Sequence, residues 1–296
     1  MSRVNVPLPQ PRSLAETSRQ DRWWVQPLAV FLGLTAFLVY ANWAAFQASN
    51  FFASAAHPTV SLFGGAKSVA HYLSPMYSPV LYDIPGMPSG HAWFGEAPSW
   101  LVSLWDFIPG SYSPAFLILI FPAGFRLTCY YYRGAYYKAF WGDPLNCAVG
   151  EPGFRGKKYR GEAKLPLILM NIHRYFLYAA LVFILILSYD ALISYWFTNP
   201  DTGKGSFGIG VGSLILTINP ILLGGYTLGC HSLRHLVGGK KDCIGAKGLR
   251  RTSYECVSCL NRGHMKWAWF SLVWVGFTDF YVRMVASGNW TDFRIL

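Results

Sequence analysis

The stretch FGIGVGSLILTINPILLGGYTLGCHSLRHLV, residues 207–237, decides how this chain is read. Its first part is apolar and free of charge over more than the roughly 20 residues that a helix needs to cross a hydrocarbon core. Its last part carries Cys230, His231, Arg234 and His235. Polar side chains at membrane depth are costly, so they face a bundle interior and mark chemistry.

The rest of the chain repeats the apolar pattern. Of 296 residues, 53% are hydrophobic and 13% charged, about half the charge of a soluble globular domain. Five segments have span length: 24–45, 113–132, 165–193, 207–237 and 265–285. The expectation is an all-α integral membrane bundle of five transmembrane helices. One transmembrane domain would cover residues 24–290, after an N-terminal arm at 1–23 and before a short tail at 291–296. Residues 50–112 make a long connection, in which VSLFGGAKSVAHYL (60–73) suggests a short interfacial helix. His57, His71 and His91 read there as surface histidines.

Basic residues set the expected orientation. Arg3, Arg12, Arg19 and Arg22 precede the first segment. Lys138, Arg155, Lys157, Lys158, Arg160 and Lys164 follow the second, and Lys240, Lys241, Lys247, Arg250, Arg251 and Arg262 follow the fourth. The long first connection has only Lys67. The positive-inside rule then places the N-terminus in the cytoplasm and the C-terminus outside, with residues 50–112 as an exterior loop. The net charge of +11 therefore suits anionic lipid or an acidic soluble partner rather than nucleic acid. The long polar lead and full-length first span do not match a cleaved signal peptide.

In this topology all six cysteines fall toward the cytoplasmic side, where disulfides are disfavoured and metal ligation is the better use of a thiol. His231 and His235, spaced i,i+4, share a helix face and can reach one metal. Three arrangements stay open. A two-iron cluster would take His231 and His235 on one iron and two cysteines on the other. Cys129 and Cys147 are its sulfur donors, with Cys230 and Cys243 as rivals. A haem b would need axial histidines from different helices, His173 with His231 or His235. A structural zinc would use Cys256, Cys259, Cys243 and His264.

The aromatic stretch CYYYRGAYYKAFW (129–141) is suited to an interfacial belt and also to the flat walls of a quinone site. By position, His173, Arg174, Tyr175, Arg234 and Tyr130 are the donors that would hold a quinone headgroup. No phosphate-binding loop, dinucleotide fingerprint or metalloprotease motif occurs.

The segments FRLTCYYYRGAYYKAFW, CAVGEP, NIHRYF, GCHSLRH and HMKWAWFSLVWVGFTDFYVRMVASG resemble the membrane-anchor subunit of actinobacterial succinate dehydrogenase, over roughly residues 110–290. That resemblance implies a five-helix anchor of respiratory complex II in a bacterial plasma membrane. It also implies flavoprotein and iron–sulfur partner subunits, with menaquinone or ubiquinone as electron acceptor. Relatives of this type are expected to carry an embedded Rieske-type [2Fe-2S] cluster in place of haem, which carries over to His231 and His235 as the nitrogen ligands. Oligomerisation of the complex stays open.

Overall fold

The computed structural model describes residues 22, 24–53, 56–62, 67–108, 110–140, 171–239, 244–245 and 248–296. Its helices are α1 (Val25–Gln47), α2 (Ser99–Trp105), α3 (Ala115–Leu127), α4 (Tyr130–Phe140), α5 (His173–Ile193), α6 (Val211–Leu228), α7 (His231–Gly238), α8 (Leu249–Arg262) and α9 (His264–Ala286). Short strands join the connections. β1 (Val60–Ser61) pairs in parallel with β5 (Phe293–Arg294), and β2 (Val69–Ala70), β3 (Trp196–Thr198) and β4 (Gly205–Phe207) form an antiparallel sheet in that order. The described residues fall into two compact units, one from within 1–38 and 126–172 and the other from within 39–125 and 173–296.

In the larger unit, α6 packs along both α5 and α9. Small residues let it approach closely, as at interfaces between membrane helices. A Cβ on Gly225 would lie 2.6 Å from the Trp267 ring, and one on Gly212 would lie 2.3 Å from the Tyr72 ring. The start of α6 is capped from the C-terminal tail. Asp292 accepts the Gly212 N–H at 3.1 Å, the Tyr281 hydroxyl at 2.7 Å and the Tyr72 hydroxyl at 2.8 Å, which places a carboxylate at the positive end of the helix dipole. A buried ion pair ties α9 to the end of α1. Arg283 Nε donates to Asp279 Oδ2 at 2.8 Å, and the guanidinium also donates to Ala44 O, Ser49 O and Gln47 Oε1 at 2.8, 2.9 and 3.1 Å. Tyr40 and Ser74 hydroxyls donate to the same carboxylate.

The smaller unit contains the first turns of α1 and the whole of α4. Phe31 and Phe140 rings lie 4.9 Å apart. Arg126 Nη1 donates to the Tyr132 hydroxyl at 2.7 Å, and the Arg133 guanidinium lies 4.8 Å from the Tyr130 ring centre.

The five-span expectation is corrected. Among the described residues, three helices are long and apolar enough to cross a membrane: Val25–Gln47, His173–Ile193 and Val211–Leu228. A fourth exists only if the bent pair α3 and α4, broken at Thr128–Cys129, counts as one span. The segment at 265–285 does form one helix, α9, but Lys266, Asp279 and Arg283 lower its apolar character, and the last two are paired inside the protein. The segment at 207–237 is not one helix either, because α6 ends at Leu228 and α7 starts anew at His231. The sides assigned to the termini fall with the count. Three crossings put the ends on opposite faces and four put them on the same face, so an orientation counted through five no longer follows. Residues 1–21, which carry the basic arm, lie outside the described residues. The interfacial helix expected at 60–73 is also replaced. Val60–Ser61 and Val69–Ala70 are strands, and the short helix of this connection is α2.

Candidate functional site

The break between α6 and α7 builds the site. Gly229 closes α6, and a Cβ there would lie 2.8 Å from the Gly225 carbonyl oxygen and 3.1 Å from that of Leu260. No side chain fits, and the Gly229 carbonyl instead accepts Asn261 Nδ2 at 2.7 Å. Cys230 is then extended at φ −67° and ψ 141° and becomes the N-cap of α7, its Sγ accepting the Ser232 N–H at 3.3 Å. This turn directs a buried thiol toward α5.

His173, the first residue of α5, meets that thiol. Its Nε2 lies 3.1 Å from Cys230 Sγ, and both residues are buried. The imidazole stacks on Phe125 with ring centres 4.6 Å apart and planes 5° from parallel. Tyr226 packs edge-on to Phe125 at 5.4 Å and stacks on His264 at 5.0 Å. The His264 ring centre is 6.2 Å from that of His231. Three imidazoles and one thiol from α5, α6–α7 and α9 are thus linked through two aromatic rings. Imidazole and thiol donors suit iron–sulfur and borderline transition metals. Among the described residues, however, no three His, Cys, Asp or Glu side chains gather in a metal-holding group.

His231 and His235 lie on α7 and are both exposed. Cys129 is buried at the α3–α4 break, in the smaller unit. Cys147 and Cys243 lie outside the described residues. Arg174 and Tyr175 follow His173 on α5 but are exposed, as is Tyr130. Arg234 joins α7 to α8: its Nε donates to Ser258 Oγ at 3.0 Å and its guanidinium lies 5.1 Å from the Tyr254 ring centre. Cys256 and Cys259 are free and exposed on α8, whereas His264 is buried against Tyr226. Phe125 and Tyr226 also build the site, through their rings. Phe125 sits four residues before Cys129, and Tyr226 four before Cys230, in runs that read simply as apolar or aromatic packing.

The family model for the actinobacterial succinate dehydrogenase subunit SdhC matches residues 25–288. The chain belongs to this family. A chain of the solved Mycobacterium smegmatis Sdh1 complex in the apo form is 39% identical, with a TM-score of 0.75, and the match covers 98% of this chain and 96% of that one. No curated protein matches. The chain is therefore a membrane-anchor subunit of succinate dehydrogenase, a multi-pass protein of the bacterial plasma membrane that belongs to the complex II assembly without carrying its succinate chemistry.

Proposed function

We propose that this anchor passes electrons from the iron–sulfur subunit of succinate dehydrogenase to quinone, and that His173 and Cys230 lie at the heart of a His/Cys-ligated redox centre. The observation that carries the reading is the buried 3.1 Å contact between His173 Nε2 and Cys230 Sγ. A thiol and an imidazole held together in an apolar setting supply one sulfur and one nitrogen of the two-plus-two donor set that a mixed-ligand two-iron centre takes. His231, next in sequence to Cys230, is the further nitrogen donor in the same unit. When bound, a two-iron cluster supplies a one-electron carrier whose potential histidine ligation raises. A haem b would instead pair His173 with a facing histidine, whereas the Nε2 of His173 faces the Cys230 thiol.

The chain's own residues orient the site. Phe125 fixes the His173 ring plane by stacking, and Tyr226 fixes that of His264. The break at Gly229 turns the Cys230 thiol inward. Tyr175 and Arg234, on the α5 and α7 ends of the same unit, are donors for the carbonyl oxygens of a quinone headgroup. Reduction of the quinone consumes two electrons and two protons. The flavoprotein and iron–sulfur subunits are the partners this role requires.

The test is replacement of His173 by Gln and Cys230 by Ser in the assembled complex. Succinate oxidation by a soluble artificial acceptor should stay near wild type while quinone reduction falls at least tenfold. Unchanged quinone reduction in both variants would remove these residues from the electron path.

A further inference from the structure

We propose that Cys256 and Cys259 form a surface dithiol site that chelates a soft, thiophilic cation of the monovalent-copper class through both sulfurs. Both thiols are free and exposed, and both lie within the regular helix α8. Three residues apart on a helix, they share one face. The opposite face holds α8 in place. Tyr254 lies under the Arg234 guanidinium, Ser258 accepts from Arg234 Nε, Asn261 donates to the Gly229 carbonyl, and Val257 is buried. At about 100° per residue, these four residues form an inward stripe, and Cys256 and Cys259 project from the far side.

The spacing selects among the uses of a dithiol. Helical neighbours of this kind have Cβ atoms about 5–6 Å apart, whereas a disulfide needs about 3.5–4.5 Å. Closing one would distort a helix held along its whole inner stripe. Two sulfur–metal bonds of about 2.3 Å each leave the sulfurs up to about 4.6 Å apart, which the undistorted helix accommodates. Thiolate-only ligation selects soft ions. Binding takes one cuprous ion and two thiols to a bis-thiolate complex with release of two protons, with no change of oxidation state.

The experiment uses the full-length chain in detergent under anaerobic conditions. Cuprous ion is titrated against a chromophoric chelator, with phenylarsine oxide as a second dithiol probe that loses its oxygen as water on binding two thiols. The wild-type chain should take up one equivalent of either probe that C256S and C259S each bind at least tenfold more weakly, while C230S retains it. Wild-type affinity in either surface variant overturns the site. Peptide mapping after air exposure should find no Cys256–Cys259 linkage, and a disulfide as the main product there overturns the choice of a cation. Helical circular dichroism should be unchanged in both serine variants, and a loss would contradict the outward placement of these side chains.

Discussion

Replacing Arg283 with Met removes a cation whose side chain is 2% exposed and whose partner, Asp279, is 0% exposed. The substitution keeps most of the side-chain volume and leaves an unpaired carboxylate in the interior. It also removes the donor from Ala44 O and Ser49 O near the end of α1, where backbone carbonyls lack helical partners. Breaking one side of a buried pair costs about 3–5 kcal/mol, or roughly 10² to a few times 10³ in the unfolding equilibrium at tenfold per 1.4 kcal/mol. Tyr40 and Ser74 keep donating to Asp279, so the lower part of that range is expected. Asp279→Asn with Arg283→Met should recover most of the loss, because the orphaned charge is gone. The assay is denaturant unfolding of detergent-solubilised chain, followed by tryptophan fluorescence, over the full double-mutant cycle. A cost below about 1 kcal/mol for Arg283→Met, or a double variant equal to the sum of the singles, would refute the claim that this pair is a desolvated, coupled tie between α9 and α1.

Three further outcomes follow from the packing. Gly225→Ala drives a methyl into the Trp267 ring, whose atoms would stand 2.6 Å away; overpacking of this kind costs about 1–3 kcal/mol, measured in the same unfolding assay. Asp292→Ala removes the acceptor for Tyr72, Tyr281 and the Gly212 N–H and should cost about 2–4 kcal/mol, with proteolysis of the 205–212 segment speeding up. Burial holds His71 and His91 below the usual 6.5, and His91 is lowered further by the charge of His71. Their folded-state pKa values lie under the unfolded one, so their contribution to stability is complete above about pH 6.5. It is lost as the pH falls below that value and through the folded pKa values. Thermal stability should therefore decline between pH 7 and 5, and the slope should flatten in a His71→Gln, His91→Gln variant.

The continuous apolar runs of α1, α5 and α6 were legible in the sequence because lipid-facing helices need little beyond continuous hydrophobicity. The breaks were not. Residues 207–237 contain no charge before Arg234, so the hydropathy is continuous, yet the backbone turns at Gly229 because only glycine fits beside the Gly225 and Leu260 carbonyls. That contact comes from α8, some thirty residues later. Asp279 and Arg283 read as blemishes in a span, and their pairing with the end of α1 depends on residues more than 230 positions away. For the site, i,i+4 spacing drew attention to His231 and His235 on the premise that α6 continued. The contact that organises the region, His173 with Cys230, joins residues 57 apart. Its members were each legible as candidates, but their pairing was not.

The most direct measurement of the central claim is electron paramagnetic resonance of the dithionite-reduced full-length anchor in detergent, with iron counted in the same sample. A His/Cys-ligated two-iron centre at His173 and Cys230 predicts a Rieske-type signal with two irons per chain, and its loss in His173→Gln and in Cys230→Ser. A signal of wild-type shape and intensity in both variants, or a chain purified with haem and no cluster iron, would contradict it.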